Sequence, residues 1–137
     1  LTDVTGVQTC ALPIYGGGCW LHAAVQIRKR NSDDGKKAIR AAFEAHPSLK
    51  HVIVVDEDID VYDPNDLEWA FSTRFQGDKG LLVLENQPSS SLDPSARHMP
   101  GEKSKTTKLG FDATFPDLDH KEKFMRVSYV DKLDLRE

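Results

Sequence analysis

Apolar positions along this chain follow different spacings in different segments, and each spacing calls for a different element. From His22 to Lys29, Ala23, Val25 and Ile27 alternate with other residues, the period of a strand with one face turned inward. Arg28, Lys29 and Arg30 then form a solvated strand end. Asn31–Asp34 offers capping side chains to a helix expected over about Gly35–Ala45. There Ile39, Ala42 and Phe43 fall at i, i+3 and i+4, while Lys36, Lys37 and Arg40 take the other side. Pro47 ends it. Val52–Val55 is a run of four β-branched residues that does not alternate, so both of its faces should be buried, as in a central parallel strand.

That run stops in acid, Asp56-Glu-Asp-Ile-Asp60. Asp63 suits an N-cap, Pro64 the first helical position and Asp66 the third, the spacing of a capping arrangement. The helix is expected to reach about Phe75 and to bury Leu67, Ala70 and Phe71. A turn over Gln76–Gly80 leads to a second buried strand, Leu81–Leu84. A Ser-, Pro-, Lys- and Gly-rich loop follows over Gln87–Thr107, then a short strand over Lys108–Thr114 and a polar tail from Asp119. The order β-α-β-α-β calls for a three-layer α/β/α sandwich with a mainly parallel sheet. Asp56–Asp60 and Glu85-Asn86 would then share the carboxyl rim of the strands, where such sheets bind ligands.

Composition narrows the classes. The chain has 137 residues, 29% of them charged, and a formal net charge of −4, which gives no basic footprint for nucleic acid. No run approaches a membrane span. Val4–Ile14 reads as the forward translation of a common sequencing-library adapter. Residues 1–14 are therefore expected to be artefactual and irregular, and 15–137 to be the C-terminal piece of a longer protein. Cys10 falls in that segment. Cys19 is then alone, which fits a reducing compartment and a cytoplasmic protein.

The chemistry-bearing residues are few. Asp56 and Asp58, at i and i+2 after a buried strand, could hold a hard divalent cation, as in a phosphatase or sensor module. The same carboxylates could instead satisfy backbone N–H groups of the turn and the next helix. The five histidines share no ligand spacing, and His46 and His51 are expected at the surface. Trp20 and Trp69 are expected in the core or an interface. Ser89-Ser-Ser91 lacks the strand-turn-helix setting of a nucleophile elbow. Lys108, at the end of the long loop, reads as solvated on physical grounds.

Six ordered segments carry a resemblance. They are Gly18-Cys-Trp, Lys50-His-Val-Ile-Val-Val-Asp-Glu-Asp-Ile-Asp60, Leu67-Glu-Trp-Ala-Phe-Ser-Thr-Arg74, Leu82-Val-Leu-Glu-Asn86, Ser91-Leu-Asp-Pro-Ser-Ala96 and Thr107-Lys-Leu-Gly-Phe-Asp-Ala-Thr114. In this order and spacing the chain resembles the C-terminal domain of the UbiD family of decarboxylases. The resemblance implies a non-oxidative, reversible decarboxylase of aromatic or α,β-unsaturated carboxylic acids. It implies prenylated FMN with a divalent metal (Mn or Mg) and K, held by preceding domains, and a homo-oligomer, a dimer or a hexamer of dimers. No catalytic, cofactor or metal ligand carries over to this chain. Asp56, Asp58, Asp60, Arg74, Lys108 and Asp112 are the residues expected to shape an active-site wall or domain interface, or to hold the domain together. Ser91–Ala96 looks more like the anhydromevalonate phosphate decarboxylase branch than the quinone-biosynthesis branch.

Overall fold

Val52 and Val54 point to one side of the sheet and Ile53 and Val55 to the other, and all four are buried. They fill the middle of a strand that must be covered twice. The computed structural model describes residues 20–127 and the backbone of Cys10–Pro13. Its strands are β1 (Cys10–Pro13), β2 (His22–Ile27), β3 (His51–Asp56), β4 (Leu81–Pro88) and β5 (Lys105–Ala113). They form one sheet in the order β1-β2-β3-β5-β4. β2, β3 and β5 run parallel, and β1 and β4 are antiparallel edges.

Helix α1 (Asp34–Ala45) covers one face through Ala38, Ile39, Ala42 and Phe43, against Val25, Ile27, Val52 and Val54. Helix α2 (Pro64–Arg74) covers the other through Leu67 and Ala70, against Ala24, Ile53, Val55 and Ala113. A short helix, α3 (Gly77–Gly80), leads into β4, and a 3-10 segment (Leu118–Phe124) follows β5. The three layers expected from the sequence are present.

Two strands depart from expectation. The third parallel strand is β5, nine residues long, and Leu81–Leu84 belongs to an antiparallel edge. The reason is visible in the side chains. Leu82 and Leu84 pack inward, whereas Leu81 and Val83 are 38% and 47% exposed, an alternation that suits an edge and not a central strand. Because β4 runs backwards, Glu85 and Asn86 lie beside the amino end of β5, not on the carboxyl rim with Asp56. The expected irregularity of residues 1–14 also fails at Cys10–Pro13, whose backbone pairs with β2 from Cys10↔Gln26 to Pro13↔Ala23. The side chains of Val7 and Leu12, and Cys19, lie outside the described residues.

Smaller corrections follow from packing. Phe71 is 37% exposed and stacks on Phe75, with ring centroids 4.9 Å apart. His51 is half-buried, edge-on to His22 and Phe111, while His46 is exposed as expected. Trp20 is largely exposed, and Trp69 is half-buried against the α2 side of the core. The α1 cap is Asp34 reaching back: its Oδ2 accepts from the Arg30 and Asn31 N–H groups.

Candidate functional site

The acidic turn is built by the end of β3. The Ile59 N–H donates to the Asp56 carbonyl and the Ile59 side chain is buried, which fixes the turn to the core. Gln26 in β2 donates from Nε2 to the Ile59 carbonyl at 2.8 Å and the Glu57 carbonyl at 3.2 Å. Asp60 stays exposed and accepts from the Tyr62 N–H at 2.9 Å. Asp63 caps α2 through the Asn65 N–H. Asp66 does not close a capping box: its Oδ2 accepts from the Asp60 N–H at 2.6 Å and its Oδ1 pairs with Arg126.

Arg74, the last residue of α2, reaches back into this turn. Its Nη1 and Nη2 bond Asp58 Oδ1 and Oδ2 at 2.8 and 2.7 Å, a parallel fork. Nη1 also donates to Asp56 Oδ2 at 3.0 Å. Nε and Nη2 donate to the Phe124 carbonyl at 3.2 and 3.0 Å. Phe115 lies 4.2 Å and Trp69 5.1 Å from the guanidinium, measured to the ring centroids. The Arg74 side chain has no exposed surface, that of Asp56 2% and that of Asp58 31%.

The two carboxylates titrate in opposite directions. Burial pushes Asp56 up to about 6, against the pull of Arg74 and with repulsion from Asp58 adding to it. Its Oδ1 is buried without a hydrogen-bond partner. Asp58 is held below the usual carboxylate range, chiefly by its hydrogen bonds to Arg74 and against partial burial.

The other expected site residues lie elsewhere. Asp112 is half-buried under the first turn of α1. Its Oδ1 accepts from the Thr114 N–H and hydroxyl, and a Cβ on Gly35 would sit 2.3 Å from its carboxylate. Lys108 is not solvated and not on the carboxyl rim. It is 3% exposed near the amino end of β5, donates from Nζ to the Pro47 carbonyl at 2.6 Å and lies over Phe43. Burial lowers its pKa. The β3–β5 register sets His51 beside Leu109 and Val55 beside Ala113, so Lys108 and Asp56 are at opposite ends of the sheet.

Three groups escaped sequence reasoning. Phe115 and the Phe124 carbonyl complete the Arg74 cage from 41 and 50 positions away along the chain. Asp93 is 1% exposed and accepts from Ser95 and from Lys50 Nζ at 3.2 Å. A buried acid inside a polar loop leaves no periodic signal.

The described residues do not fit a resident metal site. No group of three or more His, Cys, Asp or Glu converges among them. Asp56 and Asp58 are already committed to a guanidinium.

Comparison with known proteins places the chain. The profile of the 3-octaprenyl-4-hydroxybenzoate carboxy-lyase C-terminal domain matches residues 2–113. That match begins inside the segment the sequence set apart. Anhydromevalonate phosphate decarboxylase of Methanocaldococcus jannaschii is 53% identical over 85% of this chain and 27% of its own length. Gallate decarboxylase of Lactiplantibacillus plantarum is 41% identical over 86% of this chain and 25% of its own. The UbiD-class enzyme HmfF of Pelotomaculum thermopropionicum, solved with FMN, superposes with a TM-score of 0.80 at 36% identity, over 88% of this chain and 26% of that one. The chain thus spans about a quarter of the length of these proteins.

Proposed function

Because this chain belongs to the UbiD decarboxylase family, through that family's C-terminal domain, we propose that it is the C-terminal domain of a prenylated-FMN-dependent, non-oxidative and reversible carboxy-lyase acting on small aromatic or α,β-unsaturated carboxylic acids. The observation that carries this reading is the family match over residues 2–113 together with a fold shared with HmfF at a TM-score of 0.80. A relative's flavin supports the cofactor: an evolved dimeric HmfF was solved with prFMN. The divalent metal and K belong to the same proposal, with their ligands in other parts of the longer protein.

In this reading the domain's part is structural. Arg74, Asp56 and Asp58 lock the carboxyl end of β3 to α2 and to the segment after β5, so that a firm wall faces the flavin-bearing part. Fork-like pairing of a buried guanidinium fixes geometry as well as charge. The divalent-ion alternative loses its ligands to the same guanidinium. A homo-oligomer in the cytoplasm completes the proposal. Among the described residues no helix is long and apolar enough to cross a membrane.

For the substrate, the anhydromevalonate phosphate branch is favoured. Relatives of that description are 53% and 57% identical in two methanogens, against 41% for the gallate enzyme. The test is a decarboxylation assay of the complete protein, reconstituted with prenylated FMN, on anhydromevalonate phosphate and on gallate. CO2 release from the phosphate ester with little from gallate is expected. Release from gallate alone would move the protein to the phenolic-acid branch, and no release from either would remove the decarboxylase reading.

A further inference from the structure

At the end of the sheet opposite Arg74 lies a polar cleft of about 630 Å3. Three cations line it, Lys50, Arg97 and Lys105, with one carboxylate, Glu85. Lys50 is already neutralised by Asp93. Arg97 and Lys105 are not: neither has an ion-pair partner among the described residues. They also sit in direct cross-strand register. The Arg97 N–H donates to the Lys105 carbonyl at 2.8 Å, and the Lys105 N–H to the Arg97 carbonyl at 3.1 Å. A pair that exchanges both bonds holds its Cα atoms about 5.5 Å apart with both side chains on one face. Like charges so placed repel, and a fold carries that cost most readily where an anion relieves it.

Another part of the lining is irregular in a way that suits a ligand. Between Leu84↔Lys108 and Gln87↔Thr106, the two residues Glu85 and Asn86 oppose Thr107 alone, a β-bulge. Asn86 has φ of 54°, a left-handed conformation uncommon outside glycine. Bulges and such strained residues gather where a backbone is re-aimed at a site. The Lys50 ammonium, fixed by Asp93 and Ser95, is a preset part of the same lining.

The geometry points to this cleft as a binding site for the phosphoryl group of a small phosphorylated molecule, with Arg97 and Lys105 as the anion ligands. Two adjacent cations match a dianion, and a guanidinium forks onto phosphate oxygens. Thr106 supplies a hydroxyl, and the volume leaves room for an organic remainder. The inference rests on side chains of this chain and is independent of the decarboxylase reading.

Thermal unfolding of this chain with pyrophosphate and with inorganic phosphate, at ionic strength held constant with chloride, tests it. Pyrophosphate should raise Tm saturably, by mass action on the folded state, with a Kd below about 1 mM. Arg97→Gln and Lys105→Gln should each weaken that Kd by roughly tenfold or more, with no loss of Tm in anion-free buffer, since each removes a repulsion. Lys105→Arg should keep the affinity within about threefold. Arg28→Gln, at an exposed arginine paired with Glu57, should leave it unchanged. No saturable shift up to about 10 mM, an equal shift from chloride, or a shift that survives in the Arg97→Gln/Lys105→Gln double variant would overturn the inference.

Discussion

Arg74 and Asp58 meet through two parallel hydrogen bonds, at 2.8 and 2.7 Å, across 16 positions of sequence. The pair joins the end of α2 to the turn that closes β3. Asp56 sits at the third corner and the Phe124 carbonyl at the fourth, so one guanidinium ties together four segments. The bond to Phe124 explains how a polar 3-10 segment with no buried residue is held against the domain.

Removing the guanidinium leaves Asp56 buried beside Asp58 without the cation that pairs with both. Arg74→Met is expected to destabilise the chain by roughly 3–5 kcal/mol, the usual cost of stranding a buried charge. Arg74→Lys keeps the charge but not the fork and should still lose more than about 1 kcal/mol. Urea unfolding measures both. A lysine variant within about 0.5 kcal/mol of the parent would mean the fork contributes no geometry of its own.

Asp56 gives the pH dependence a sign. Its folded pKa, about 6, lies above its ordinary 3.8, so its contribution is fully present below 3.8 and is lost as pH rises through about 6. Asp58 is shifted the other way: its contribution is present above the ordinary carboxylate value and is lost only as pH falls below it. Between about pH 4.5 and about pH 7.5 His22 and His51, held below the ordinary imidazole range chiefly by burial, add stability as pH rises, so the comparison with Asp56→Asn is what isolates the opposite Asp56 effect. Urea midpoints of the parent should fall relative to those of Asp56→Asn across that window. A constant difference, or a rise, would show that Arg74 holds Asp56 ionised throughout.

Lys108 should matter to the fold. Its ammonium satisfies the Pro47 carbonyl just past the end of α1, where a cation also complements the helix dipole. Lys108→Met keeps the stem over Phe43 but leaves that carbonyl without its donor, and is expected to cost roughly 1–3 kcal/mol. Unchanged stability with a large fall in kcat/KM of the complete enzyme would reverse this assignment and give Lys108 a part in the activity instead.

What the sequence revealed, and what it hid, divides by distance along the chain. The unbroken run Val52–Val55 announced a strand buried on both faces, and Asp63-Pro64 announced the start of α2. Both are local signals. Leu81–Leu84 misled because four apolar residues suit a central strand and an edge strand equally well, and the partner that decides between them is more than 20 residues away in β5. Lys108 misled for a related reason. A lysine is read as solvated unless a buried carbonyl is known to wait for it, and Pro47 lies 61 positions earlier. Asp56 and Asp58 were legible as a strand-end acid pair open to two readings. That Arg74 occupies them became visible only when the turn, α2 and Phe124 were brought together.

In the reading proposed above, these residues form a wall, and the catalytic and flavin-holding machinery lies in other parts of the longer protein. That division is tested most directly by titrating this chain with prenylated FMN and following flavin fluorescence, beside the complete protein. A wall alone cannot supply the interactions that stabilise a transition state. No saturable binding by this chain is expected up to roughly 100 μM, and binding at least about a hundredfold tighter is expected of the complete protein. Micromolar binding by this chain alone, or decarboxylation by it, would place part of that machinery here.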